Sequence, residues 1–355
     1  MKQYSASRFG SRSLALLGAA CAFGLSSCSD ESQPGWWKSL WGDKDTTTAE
    51  TTPTQQPETP VAQPVSNEQK ELLDYMIYSV GSMASRQAAN PMWREEVRNM
   101  RSRIETYYNS ISADDHATRT KLGLFLADST RDLTAYSKAL EIYAQVLKDW
   151  EALPEADRTS IEGRRSRSAI ANGMGSCYLG QRKAKEALPY YEEALEIDKG
   201  IYNELAPADG AQLPMGNVIS PDLARAAEDV LSSYRCLGEC QFAADDPEEA
   251  RDTYKSGQEL AQRMNNLPLP ASLQFIRLLT SLGNLENSCN QYRQAAIAWT
   301  SACSYAQQLV QRSGTPAAIQ AQAARYFREL ENSRKSIAKQ LEAAQKAAEG
   351  SADPQ

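Results

Sequence analysis

From Glu68 onward apolar residues recur at spacings of three and four, the period of a helix that buries one face. Leu73, Met76, Val80 and Met83 form one stripe, and Trp93, Val97, Met100, Ile104, Tyr107 and Ile111 form the next, which predicts a leading helix pair over 68–112. Within 113–314 a stricter pattern repeats four times: a small residue, Ala twelve positions on, an aromatic four after that, and a small or apolar residue three further. It runs Ala127, Ala139, Tyr143, Val146; Gly175, Ala187, Tyr191, Ala194; Gly238, Ala250, Tyr254, Gly257; and Gly283, Ala295, Trp299, Ala302. Leu126, Met174, Leu237 and Leu282 precede the small residues. Two antiparallel helices close-pack only where one side of the contact is small, and the aromatic fills the wedge between neighbouring pairs. A last long helix over 315–348 carries Ile319, Ala323, Tyr326, Leu330, Ile337 and Leu341 on one face. That stripe suits a cap over the end of the array, with a dimerising coiled coil as the competing reading. Asn90-Pro91, Ser220-Pro221, Asp246-Pro247 and Thr315-Pro316 each offer an N-cap oxygen and a first residue of fixed φ.

With these residues in view, the stretch from about Lys121 to Gln311 resembles the tetratricopeptide repeat family. Met174-Gly175, Tyr178, Ala187, Tyr191 and Ala194 are the best unit. Leu237-Gly238 with Tyr234, Ala250 and Tyr254 make another, as do Leu282-Gly283, Tyr292, Ala295, Trp299 and Ala302. The first unit, with Leu126, Tyr136, Ala139 and Tyr143, is looser because Ala127 stands in place of Gly. The Pro that closes the family's second helix is missing: Glu151, Lys199, Gln262 and Gln307 stand eight residues beyond the aromatics. The repeat Ala residues lie 187−139=48, 250−187=63 and 295−250=45 apart, longer than the family's 34-residue period. The resemblance therefore implies an all-α, right-handed α-solenoid of antiparallel helix pairs with lengthened second helices. Gly200 to Ile219 fills the widest gap, and Leu205, Leu213, Met215, Val218 and Ile219 make it too apolar for a fully solvated loop.

The N-terminus reads as a targeting segment over 1–27. Lys2, Arg8 and Arg12 precede an apolar run from Leu14 to Leu25 that is too short to span a bilayer comfortably. It ends in Leu25-Ser26-Ser27-Cys28, which resembles the lipobox of bacterial lipoproteins, where the Cys is lipidated and becomes the mature N-terminus. Ser29 rather than Asp follows Cys28, which in the sorting rule of some diderm bacteria implies delivery to the outer membrane. Trp36, Trp37, Leu40 and Trp41 would share one side of a helix close to this anchor. Trp favours the headgroup level of a membrane, and docking on the protein's own helices is the other reading. Asp43 to Asn67 holds Thr, Pro, Gln and Glu with almost no large apolar residue, so 28–67 reads as anchor plus disordered linker. About 25 residues of this composition span roughly 25 to 30 Å. Residues 349–355 read as a disordered tail.

A chain of 355 residues with 41% hydrophobic and 23% charged positions has enough apolar material for a substantial core. Its net charge of −7, without an uninterrupted basic stripe, argues against nucleic acid as a partner. Removal of Cys21 with the leader and acylation of Cys28 leave Cys177, Cys236, Cys240, Cys289 and Cys303, an odd number, so at least one has no partner within the chain. Cys236 and Cys240 sit one turn apart, too far for an unstrained bridge, and read as buried thiols. Catalytic chemistry is not legible. His116 is the single histidine, and in Asp114-Asp115-His116 the expected role is helix capping by Asp114 rather than metal ligation. Gly173, Gly175 and Gly180 miss the dinucleotide spacing, and Ser336 with Lys339 lacks companion motifs. No enzyme activity, cofactor or metal is expected.

The expected function is a lipid-anchored, periplasm-facing scaffold or adaptor that binds protein partners of an envelope complex. A surface solute or glycan receptor built on the same repeats is the alternative. In the repeat family the first helices line the groove, so residues three before, one after and four after the small residue are the expected partner-binding set. These are Asn172, Ser176 and Leu179; Arg235, Glu239 and Phe242; and Thr280, Asn284 and Asn287. Amides suit the backbone of an extended peptide, Arg235 a carboxylate, and Leu179 with Phe242 an apolar anchor.

Overall fold

The computed structural model describes residues 91–206, 219–264, 267–312 and 314–350. Outside them lie the stretches read above as leader, linker and first leading helix, with Cys28 and the cluster Trp36, Trp37, Leu40 and Trp41, the centre of the 200–219 insert and residues 351–355. Among the described residues every regular element is helical: α1 (Pro91–Ser110), α2 (His116–Asp132), α3 (Tyr136–Glu151), α4 (Glu155–Thr159), α5 (Ile161–Gly180), α6 (Ala184–Leu205), α7 (Pro221–Ala243), α8 (Pro247–Arg263), α9 (Leu269–Ser288), α10 (Tyr292–Gln311) and α11 (Ala317–Gly350). None of these helices is long and apolar enough to cross a membrane.

Capping side chains set several boundaries. Ser220 accepts from the Leu223 N–H at 3.2 Å and Asp246 from the Glu249 N–H at 3.2 Å, each just before a first-turn proline. Two expectations need correction. Asp115, not Asp114, caps α2, accepting from the Thr118 N–H at 3.1 Å. Thr315 is buried, but its hydroxyl has no hydrogen-bond partner among the described residues, so α11 starts at Ala317 without that cap.

Four three-residue turns, α2 to α3, α5 to α6, α7 to α8 and α9 to α10, are built alike. The middle residue of each has positive φ: Thr134 (61°), Arg182 (64°), Asp245 (71°) and Asn290 (60°). Each stands seven positions after its unit's small residue, Ala127, Gly175, Gly238 or Gly283. The amide that follows closes back onto the helix before it: Ala135 to the Thr130 carbonyl at 3.2 Å, Lys183 to Tyr178 at 2.9 Å, Asp246 to Gln241 at 3.0 Å and Gln291 to Glu286 at 2.7 Å. The left-handed backbone is uncommon for residues other than Gly, so the surrounding packing must hold it at Thr134 and Arg182.

Packing follows the small-to-aromatic pattern. Tyr143, Tyr191, Tyr254 and Trp299 are all buried. A Cβ on Gly238 would lie 2.5 Å from Tyr254, one on Gly175 would lie 3.1 Å from Tyr191, and one on Gly283 would run into Trp299. Tyr143 reaches beyond its own pair to Gly173 of α5, where no Cβ fits. Apart from α3 and α4, helices next to each other in the chain pack together, and α3 also packs on α5 and α7 on α9. One core cluster runs from Ala184 of α6 to Ile337 of α11. Ala323, Leu330 and Ile337 bury the α11 stripe in that cluster, and Arg277 of α9 donates from Nε to the Tyr326 hydroxyl at 2.7 Å. The stripe from Ile319 to Ile337 thus packs against the chain's own core. Of the expected lengthened second helices, α6, α8 and α10 continue past Lys199, Gln262 and Gln307 to Leu205, Arg263 and Gln311, whereas α3 ends at Glu151.

Candidate functional site

The residues expected to bind a partner lie on α5, α7 and α9, which share an apolar core and are also linked by buried polar groups. Asp198 of α6 is a buried carboxylate in an otherwise apolar stripe with Tyr191, Ala194, Leu195 and Ile201. Its Oδ2 accepts from the Ser233 hydroxyl of α7 at 2.5 Å, and Ser233 in turn accepts from the Asn172 amide of α5 at 3.4 Å. Arg165, also buried, donates through Nη1 to the Asp222 carboxylate at 3.1 Å and through Nη2 to the Asp222 carbonyl at 2.9 Å. Its Nε stands 3.8 Å from the Asp229 carboxylate. This polar seam ties α5, α6 and α7 together.

The nine expected residues differ in what they have left to offer. Asn284 is exposed, whereas Asn172, Ser176, Leu179, Phe242, Thr280 and Asn287 are half-buried. Leu179 and Phe242 pack against core clusters of the chain, and the Thr280 hydroxyl donates to the Ile276 carbonyl at 2.7 Å. Arg235 is buried, and its Nη1 donates to both Glu239 oxygens, at 2.9 and 2.8 Å. Glu239 also accepts from the Ser281 hydroxyl at 2.8 Å, so this pair links α7 to α9. Four buried amide oxygens, Asn172 Oδ1, Gln241 Oε1, Gln274 Oε1 and Asn287 Oδ1, have no donor among the described residues. Such unpartnered acceptors are rare in protein interiors.

The chain matches no protein-family model. It matches no curated protein either. Among solved structures it is similar to one titled "Crystal structure of BtubC (BKLC) from P. vanneervenii". The two are 15% identical with a TM-score of 0.41, over 81% of this chain and 94% of that one.

The other candidate chemistry resolves into packing. His116 places Nδ1 3.4 Å from Asp149, a buried carboxylate that also accepts from Arg119 Nε at 3.1 Å and from the Tyr108 hydroxyl at 3.3 Å. All five cysteines from Cys177 to Cys303 are free thiols. Cys240 is buried and donates to the Ala184 carbonyl at 3.2 Å. Burial pushes the Cys240 thiol up to about 12 and that of Cys177 up to about 11, which leaves neither a ready nucleophile.

Sequence reasoning passed over Arg165, Asp198, Asp229 and Ser233. Burial first, then the neighbouring Asp198 and Glu228, pushes the Asp229 carboxyl up to about 7, against the opposing pull of Arg225 and Arg165. Burial raises Asp198 as well, opposed by hydrogen bonds from Ser233 and Ser168 and by Arg165. An acid whose folded pKa exceeds its unfolded value binds more protons when folded. Its stabilising contribution is therefore full below the unfolded range near 4 and is lost as pH rises through about 7. Because the Asp229 side chain keeps 35% exposure, solvent screening moderates the effect. The expected result is a melting temperature that falls between pH 5.5 and pH 8, with a shallower fall in Asp229→Asn. Scanning calorimetry at a series of pH values checks it, and equal slopes for both proteins would remove Asp229 from the account.

Proposed function

We propose that the chain is a lipid-anchored, periplasm-facing scaffold of the tetratricopeptide kind. Its helix pairs stack antiparallel into a right-handed solenoid, and the first helices α5, α7 and α9 hold a segment of a protein partner of an envelope complex. Cys28 is the lipid attachment point, with Trp36, Trp37, Leu40 and Trp41 at the membrane interface. The observation that carries the reading is the shared register of the four units: the same three-residue turn, seven positions after each small residue, returns the chain at the same place. A stack of equivalent hairpins exposes a continuous face of first helices, and such faces commonly bind peptides or helices. The exposed Asn284 offers a side-chain amide suited to the backbone of an extended segment.

The test is site-specific photocrosslinking of the full chain in its native membrane. A benzophenone amino acid at Asn284 is expected to capture an envelope protein, whereas the same probe at Glu259, exposed on α8, captures none. Equal capture at both positions, or none at Asn284, would move the site off these helices. In the same cells a labelled fatty acid is expected to enter the protein, and Cys28→Ala to abolish its entry.

A further inference from the structure

A second feature lies elsewhere on α5. Arg164 and Arg167 each stand one position before a residue of the polar seam, Arg165 and Ser168, a rotation of about 100° around the helix. With Trp150 from the end of α3, Arg158 from α4, and Ile197 and Glu204 from α6, they line a cavity of about 700 Å³. That volume is in the range of small-molecule sites.

Local packing holds the parts in place. The Trp150 indole N–H donates to the Gly163 carbonyl at 2.8 Å, which orients the ring. The corner between α4 and α5 is tight: Ser160 caps α5 by accepting from the Gly163 N–H at 3.0 Å, and a Cβ on Gly163 would strike the Asp157 and Arg158 carbonyls. The Arg158 and Arg167 guanidiniums stand 5.9 and 5.8 Å from the centre of the Trp150 ring. Arg164 is paired with Glu204, and Arg167 with Glu193 at 2.6 Å. Arg158 has the ring and, among the described residues, no carboxylate. The Nε atoms of Arg158 and Arg164 are buried and have no acceptor there.

The two Nη groups at the end of a guanidinium take a planar carboxylate with two parallel bonds, and those of Arg158, unlike its buried Nε, remain open. Trp150 and Ile197 offer an apolar wall beside them. Glu155 and Glu204, which also line the cavity, repel a second negative charge. We infer that this cleft binds a small organic monoanion, a carboxylate with an aromatic or branched apolar body: the carboxylate lies on the Arg158 Nη groups and the body against Trp150.

The experiment follows the indole N–H resonances of the full chain in detergent, labelled with nitrogen-15 and titrated separately with phenylacetate, phenylacetamide and inorganic phosphate. Trp150→Phe assigns the Trp150 signal, and the signal of Trp299, buried elsewhere, reports that the fold is intact. Phenylacetate is expected to shift the Trp150 signal saturably, while the neutral amide and phosphate at the same concentrations leave it in place. Arg158→Gln, and equally Arg158→Lys, which keeps the charge but loses the two-bond edge, should weaken phenylacetate binding roughly tenfold. The inference is overturned if phenylacetate gives no saturable shift, if the amide or phosphate binds as well, or if both Arg158 variants bind like the parent with an unmoved Trp299 signal.

Discussion

Gly238→Ala is expected to destabilise the protein by about 2 kcal/mol, while Gly200→Ala stabilises it by about 0.5–1 kcal/mol. Both glycines are inside helices, so both replacements gain the same helix propensity, and the difference isolates space. A Cβ at Gly238 would lie 2.5 Å from Tyr254 Cε1, and the Tyr254 ring is only 1% exposed, so it cannot retreat without displacing its neighbours. At Gly200 nothing lies within 4 Å. Urea unfolding of the two variants and the parent measures the outcome through the midpoint at constant slope. Midpoints that move in the same direction would mean that the small-to-aromatic contact does not limit how closely these helices approach.

That contact is also why so much of the helical architecture could be read in advance. A small residue, an Ala and an aromatic at fixed separations encode which faces meet, and Gly175, Gly238 and Gly283 do lie against Tyr191, Tyr254 and Trp299. The turns between them were less legible. Thr134, Arg182, Asp245 and Asn290 share a left-handed backbone, yet no Gly marks the position, and only Asp and Asn are residues that enter that region readily. Helix pairing imposes the conformation, and local sequence does not advertise it. α4 went unseen for a different reason, since five residues are too few to show a 3.6-residue period.

The candidate groove was legible as a set of positions but not as a set of available groups. Periodicity assigns residues to a face without saying which other element covers that face. Asn284 stays exposed, while Ser176 and Glu239 at the equivalent position are half-buried, and Leu179 and Phe242, one turn further on, pack against core clusters. Asp198 did leave a signal, because a carboxylate between Leu195 and Ile201 breaks an apolar stripe and announces a buried polar partner. Arg165 and Ser233 gave none, since each reads alone as an ordinary polar residue on a helix. The Arg158 cleft was hidden as well, because it is assembled from α3, α4, α5 and α6 and no short segment contains it.

Arg235 and Glu239 sharpen the point, and breaking their pair should give the larger loss of stability. Glu239→Ala is expected to cost about 3 kcal/mol, because it leaves the Arg235 guanidinium, 7% exposed, without the carboxylate that both short bonds serve. It also takes the acceptor from the Ser281 hydroxyl, loosening α9 from α7. Replacing both members together, as Arg235→Met with Glu239→Met, fills similar volume and leaves no charge behind, so the double variant should lose far less than the two single variants added. A double-mutant cycle by urea unfolding reads the coupling directly, and additive effects would show that the two side chains act independently. The same pairing constrains how a partner is captured. On the proposed reading, a ligand carboxylate reaches Arg235 only by displacing Glu239 from its two-bond contact within the same helix, so recognition on this face would fall to the exposed Asn284. The affinity of the proposed partner should then survive the Arg235→Met, Glu239→Met exchange, which leaves the Asn284 amide untouched.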